Sequence, residues 1–477
     1  MTPDAAFLTY VARLADEAPG VLTHALATGG QYADLFYEHT VHHGVTWYQD
    51  ARRGAVKRPV QVQAPQVFDG VGIRVLGAKR MGFAATDERA PQSLDGAASE
   101  AAAELGRTGA AREALPITTH ALLLDLPPDA PDAIAASEKA ALVQAAAEAA
   151  FSFEEVRTVR VAYHDRVRRA AVATSEGVLR ASASMLMGLR VEVTLASGGG
   201  SVTAHAVGGT TGGFGHFFAH PPEHLARRAV ERARHLLGAK PLPAGTMPVV
   251  LAAGWCGVWL HEAVGHHLEA DTVAAGGSPF AGSRGQRIAA ETITLIDDTT
   301  HEGGRGTYPF DDEGTPACRT TLIENGVLRS FLTDRRTAKP PALPRTGNAR
   351  RQDYRHAPLP RMTNLLLLPG PTDPADLIAD VADGLYVQDV GHGVVQPGGG
   401  FAFEVLEGYR IEQGRLGAPV AGARLVGTGP EVLGGVVGVG RDFEVDAARG
   451  LCKKAGQVVP VSVGMPTVLV GAMEVVG

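Results

Sequence analysis

Between residues 153 and 210, apolar and polar side chains alternate almost one for one. The runs VRTVRVAYHD, RRAAVATSE, GVLRASASMLMGLRVEVTLASGGG and SVTAHAVGG carry this period of two, with turn residues between them. Only a strand places successive side chains on opposite faces, so the stretch predicts an antiparallel meander with one buried face. The chain holds 59 glycines and 30 prolines in 477 residues. Many of the glycines sit between short apolar runs, where they read as turns and bulges of sheet.

Around the meander the period changes. Phe7, Val11, Leu14, Leu22 and Leu26 follow helical spacing over residues 4–28. ADLFYEHTV, VTWYQD and VQVQAP read as strands, and FDGVGIRVLGAKRMGFAATD as a hairpin turning at Gly77–Arg80. Residues 92–114 and Asp129–Ala150 are Ala-rich helices, with a short strand and a Pro-marked turn between them. HPPEHLARRAVERARHLL, residues 220–237, is a helix with prolines at its start and Gly238 at its end. PLPAGTM then reads as a linker. The expected fold class is α+β: an N-terminal antiparallel sheet-and-helix module over 1–240, then a β-rich domain over 241–477. That second part carries two helices, one with a histidine motif and the short DPADLIADV.

Lys+Arg number 44 and Asp+Glu 51, a formal net charge of -7, which offers nucleic acid no electrostatic attraction. Three scattered cysteines, Cys256, Cys318 and Cys452, make no disulfide framework and point to a reducing compartment. The opening MTPDAAFLTYVARLADEAPG lacks a basic start and a continuous apolar core, so it reads as an amphipathic helix and not as a signal peptide. VVLAAGWCGVWL is too short to span a membrane.

The chemistry concentrates in His261-Glu262-Ala263-Val264-Gly265-His266-His267-Leu268-Glu269. Two imidazoles and a carboxylate on a short helix form a hydrolytic set: the imidazoles hold zinc and the carboxylate takes a proton from the attacking water. His261 and His266 stand at i and i+5, about 140° apart on a regular helix. A π-bulge, made easy by Gly265, would bring them together; His261 with His267 is the weaker pairing. The bland alternative is that such histidines are hydrogen-bonded core residues. A catalytic zinc takes three protein ligands and keeps one position open. For the third, the residues leave Glu269, Asp271, His356, His392 and a cysteine open. Cys452 could be delivered from a loop, with Lys453 and Lys454 favouring its thiolate, whereas Cys256 reads as a small buried hydrophobe.

Longer stretches narrow this. QYADLFYEHT, LHEAVGHHLEAD, FAGSRGQRIAAETITLIDD, FDDEGTPACRTTLIENGVLRSFLTDRRTA, DGLYVQDVGHGVV and CKKAGQVVPVSVGMPT, among others spread over most of the chain, resemble the TldD/PmbA family of modulators of DNA gyrase, the TldD branch in particular. The resemblance implies a cytoplasmic zinc metallopeptidase with His261, His266 and Cys452 as metal ligands and Glu262 as general base. It also implies flexible or unfolded peptide substrates and a heterodimer with a PmbA/TldE-like subunit, a homodimer being the alternative. In many members a glycine stands where this chain has His267, a glycine-lysine pair where it has Lys453 and Lys454, and glycine where it has His392; none of these departures removes a ligand.

Arg351–Arg361 groups Tyr354, Arg355, His356 and Arg361. A cation there could bind a substrate carboxylate or the oxyanion formed on attack, with His356 the first choice for the latter. Asp311, Asp312 and Glu313 could hold Arg319 or a substrate backbone. The rival readings are a hydrolase of some non-peptide amide, a non-catalytic scaffold, and a purely structural zinc, which would call for four closed ligands.

Overall fold

A computed structural model of the chain describes residues 3–50, 60–197, 200–396 and 399–477. The N-terminal part is one sheet of eight strands. Met81–Thr86, Gln66–Leu76, Tyr32–Asp50, Val156–Thr174, Val178–Ser197 and Thr119–Leu123 lie side by side. Gln61–Val62 pairs onto Tyr32–Asp50, and Gly200–Thr210 onto Val178–Ser197. The hairpin turning at Gly77–Arg80 and the antiparallel meander form as expected. The strands are longer than their local patterns indicate. ADLFYEHTV and VTWYQD are one strand running through Gly44, and VRTVRVAYHD and RRAAVATSE are one strand of 19 residues. Helix Pro91–Leu105 stops short of residue 114 because Gly106, at φ 71, ends it. The later Ala-rich helix begins at Ala136, after a 3-10 turn at Pro131–Ala133.

Strand alternation divides the work of this sheet. Ala33, Leu35 and Tyr37 pack under helices Pro3–Ala25 and Pro91–Leu105 with Phe7, Val11, Leu14 and Leu94. Toward the other end, Trp47, Val161, Leu189 and Val191 pack with Val143 and Val230 of helices Ala136–Phe151 and Pro222–Leu237. The opposite face, with Phe36, Ala170 and Val172, meets Phe310 and Tyr354 of the C-terminal part. That junction is laced by charge. Buried Arg74 binds Asp34 and, at 2.7 Å, Glu313. Arg168 binds Glu38 and Asp312, Arg351 reaches Asp34, and the backbone N–H of Tyr354 donates to Glu38. Asp312 and Glu313 therefore hold Arg168 and Arg74, while Arg319 stays exposed.

The C-terminal part is β-rich: an eight-stranded sheet, a six-stranded sheet and two small hairpins around one large apolar core. The α+β class with this division of content is what the sequence pattern implies. Helix content differs in detail, since short helices also form at Ala270–Ala274 and Gly429–Gly435. Among the described residues, no helix is long and apolar enough to cross a membrane.

Candidate metal centre

The chain enters the histidine motif from strand Gly245–Leu251 through a 3-10 turn at Gly254–Gly257. Helix Val258–Ala263 follows, amphipathic enough to bury Trp259, Leu260 and Ala263 in the core. There is no π-bulge. The α-helix ends at Ala263, Val264 leaves helical geometry at φ -124 and ψ -55, and a 3-10 turn, Gly265–Leu268, carries His266. This change of winding replaces the expected bulge as the way an i, i+5 pair converges. A Cβ at Gly265 would lie 2.0 Å from the sulfur of Met362, so that buried side chain would have to move.

The two imidazoles face each other nearly at right angles, with ring centroids 5.0 Å apart. Cys452 reaches them from a hairpin, Leu451–Lys454 paired with Gln457–Pro460. The turn of this hairpin places Ala455 at φ 49 and Gly456 at φ 78. Two arginines grip its carbonyls. Arg361 donates to Cys452 and Gln457, and Arg350 donates to Pro460 at 2.6 Å and Met362 at 2.7 Å. The Cys452 sulfur then lies 3.6 Å from His266 Nε2. Donor atoms of His261, His266 and Cys452 all fall within 4.8 Å of one another, and no other such group of three occurs among the described residues.

The electrostatics suit a cation. His261 is 1% exposed, yet neither ring nitrogen has a hydrogen-bond partner, a costly state for a buried polar side chain unless a ligand takes the lone pair. Cys452 is fully buried, which pushes its thiol up, but the facing His266 and then His261 rings outweigh burial and hold it well below its usual range. Thiolate is the form that ligates. Cys256 differs: burial drives its thiol upward, and its sulfur only meets the carbonyl of Val387.

Glu269 completes the arrangement. Fully buried, it accepts from His266 Nδ1 at 3.0 Å, which leaves Nε2 free to face Cys452. A carboxylate behind a ligating histidine sets the tautomer and raises its basicity. Lys454 lies 2.9 Å from Glu269 and 2.6 Å from Asp271. Burial raises the Glu269 carboxyl, but the His266 and Lys454 charges win and bring it to about 2. Lys454 thus serves the carboxylates and not, as the sequence suggested, the thiolate.

Other candidates lie elsewhere. His267 is buried, with Nδ1 on the carbonyl of Gly277, outside the triad. Glu262 is half-buried on the helix beside His261. His356 is held by Asp353 at 2.7 Å. Asp271 is engaged by Lys454, and the side chain of His392 lies outside the described residues. Tyr354, Arg351 and Arg361 are buried within the protein instead of lining an open loop. The sequence already suggested Glu269 as a carboxylate supporting the ligands from behind, and it takes that place, i+3 from His266; the contacts made by Lys454 and Arg361 were not read from the sequence.

Two imidazoles and a thiolate converge on a buried point of a β-rich frame, a group of the kind that can hold a metal ion. Residues 244–477 match the PmbA/TldA metallopeptidase C-terminal domain, and residues 129–237 match the central domain of the same enzymes. A metalloprotease TldD homolog of Haemophilus influenzae is 33% identical over 422 residues, 86% of each chain. A metalloprotease of Methanothermobacter thermautotrophicus is 38% identical over 408 residues, 84% of this chain and 87% of the other. The crystal structure of TldE from Thermococcus kodakarensis superposes with a TM-score of 0.71 at 17% identity, covering 97% of this chain and all of that one. The chain belongs to the TldD/PmbA metallopeptidase family.

Proposed function

We propose that the protein is a zinc-dependent peptidase that hydrolyses flexible or unfolded peptides, with His261, His266 and Cys452 as the ligands and Glu262 as the general base. The observation that carries this reading is the 3.6 Å separation of the Cys452 sulfur and His266 Nε2. A tetrahedral zinc with bonds of about 2.3 Å to sulfur and about 2.0 Å to nitrogen separates two ligands by about 3.5 Å. The donor set is borderline-soft, and three ligands leave one coordination position for reactants. When bound, the ion supplies Lewis acidity, acidifying water and polarising the scissile carbonyl.

The chain's own groups do the rest. Glu262 takes the proton of the attacking water on its carboxylate and returns it to the departing amine. Glu269 keeps the His266 Nδ1 proton in place throughout. His356, its ring anchored by Asp353, is the candidate contact for the developing oxyanion. The division of the chain near residue 240, a cytoplasmic setting, and a heterodimer with a PmbA/TldE-like subunit, or else a homodimer, belong to the same proposal.

The test is cleavage of an unstructured peptide by the purified, zinc-loaded protein, with and without chelator. Cleavage that the chelator abolishes and added zinc restores is expected. Glu262→Gln should keep the metal and lose turnover. Normal turnover in that variant would remove Glu262 from the mechanism.

A further inference from the structure

The face of the N-terminal sheet that looks toward the C-terminal part borders an open cavity of about 350 Å³. This volume suits a small-molecule group or a peptide side chain. Phe68, Leu186, Leu451 and Val458 form apolar wall, and Arg166 and Arg305 line it with them. Leu451 directly precedes Cys452, and adjacent Cα atoms lie about 3.8 Å apart. Consecutive residues of one hairpin thus serve the cavity and the donor triad.

Neither arginine is directly ion-paired among the described residues, although Glu38 and Asp312 act on Arg166, and Asp446 on Arg305, without a direct contact. Arg305 is 7% exposed; its Nε donates to the carbonyl of Gly450 at 3.3 Å, its Nη1 has no partner, and it makes no ion pair among the described residues. Its backbone is fixed: the N–H of Arg305 donates to Ser462, and a Cβ at Gly304 or Gly306 would run into Asn364 or Thr363. Arg166 sits on the sheet opposite His42 and Leu186, with its Nε buried and unpartnered and no ion pair among the described residues. Three carboxylates also line the cavity, and each is engaged elsewhere. Glu38 is held by Arg168 and the Tyr354 N–H, Asp165 by Lys139 and His43, and Asp353 by His356. Burial, then Arg168, brings Arg166 down to about 9; burial brings Arg305 down to about 10. Buried guanidinium groups with unpartnered N–H groups at a cavity wall are suited to take the oxygens of an anion.

We propose that this cavity is a carboxylate-binding subsite for peptides, in which Arg166 and Arg305 hold the anionic group and Leu451 and Val458 cover the aliphatic part beside it. The ligand's class rests on the peptidase reading; the anion site itself does not. The carboxylate comes either from the peptide's C-terminus or from an acidic side chain.

The experiment uses the full chain carrying Glu262→Gln and three labelled, unstructured decapeptides followed by fluorescence anisotropy. One has a free C-terminus, one is amidated and neutral, and one is amidated with a single internal Asp. At least one anionic peptide should bind roughly 10- to 100-fold more tightly than the neutral one. Preference for the free acid identifies the C-terminus as the source, and preference for the Asp peptide an acidic side chain. The discrimination should fall to near unity in Arg305→Gln and Arg166→Gln and survive in part in Arg305→Lys, with neutral-peptide affinity unchanged as the check on folding. If Arg305→Gln does not fold, Arg166→Gln and Arg305→Lys decide. Equal affinity for all three peptides, or undiminished discrimination in the variants, overturns the proposal. Cleavage by the zinc-loaded native protein separates the two readings. Discrimination without any cleavage defeats the peptidase reading alone, and equal cleavage without discrimination defeats the subsite alone.

Discussion

Glu269→Gln should weaken zinc binding without unfolding the protein. The Glu269 carboxylate is fully buried, accepts from His266 Nδ1 at 3.0 Å, and takes a backbone N–H from Met362 at 3.3 Å. Its charge is sustained by His266 and by Lys454, 2.9 Å away. A glutamine keeps one oxygen for His266 but loses the charge that raises the basicity of that ring, and it presents an NH2 to groups that are all donors. Loss of such a partner behind a ligating histidine lowers metal affinity by about 10- to 100-fold, or about 1.4 to 2.7 kcal/mol. Folding is insulated because Lys454 keeps Asp271 at 2.6 Å and the carbonyl of Pro360 at 3.0 Å, so no ammonium is stranded. The assay is competitive titration of zinc against a chromophoric chelator, with melting temperature of the metal-free protein as control. Glu262→Gln, which touches no ligand in this way, should leave the affinity unchanged. An unaltered zinc Kd in Glu269→Gln would refute the assignment of Glu269 as the group that positions His266.

Four further outcomes are expected. Cys452→Ser should lose both zinc and peptidase activity, whereas Cys256→Ala should retain both; metal content by elemental analysis checks this. Gly265→Ala should lower stability by about 1–3 kcal/mol, because its methyl collides with Met362; urea denaturation measures it. A stably folded protein should resist cleavage while its unfolded variant is cut, and equal rates on both would contradict a preference for flexible chains. His42 and His205 are each held neutral down to about 4, chiefly by burial and then by Arg166 and Arg190 respectively. The unfolded chain binds protons on these rings from about pH 6.5 downward, so stability is complete above that and falls as pH drops toward 4. Melting temperatures at pH 7, 5.5 and 4.5 should show the fall, and His42→Gln should lessen it.

The sheet of the N-terminal part was legible because its alternation is local: Ala33, Leu35 and Tyr37 face helices that a reader can also identify. Strand lengths were not, because the interruptions at Gly44 and around Asp165–Arg166 answer to partners far away in sequence. The same holds for charge. Arg74, Arg351 and Arg361 read as surface residues in any local window, yet each is buried against groups supplied by another part of the chain.

The candidate metal centre shows the limit most sharply. Local pattern found His261 and His266 but chose a π-bulge, since several changes of winding satisfy an i, i+5 pair equally well. Cys452 lies 186 residues from His266, and residue chemistry alone left it one of several candidates; family resemblance singled it out. Once the hairpin is known, alternation supplies what the window could not. Cys452 and Lys454 share a face of the strand, so the residue two beyond the thiolate, not its immediate neighbour, reaches Glu269. That carboxylate ties the hairpin to the histidine turn from behind the donor triad. The thiolate and His266 are therefore held in register by a salt bridge that neither sequence segment reveals alone.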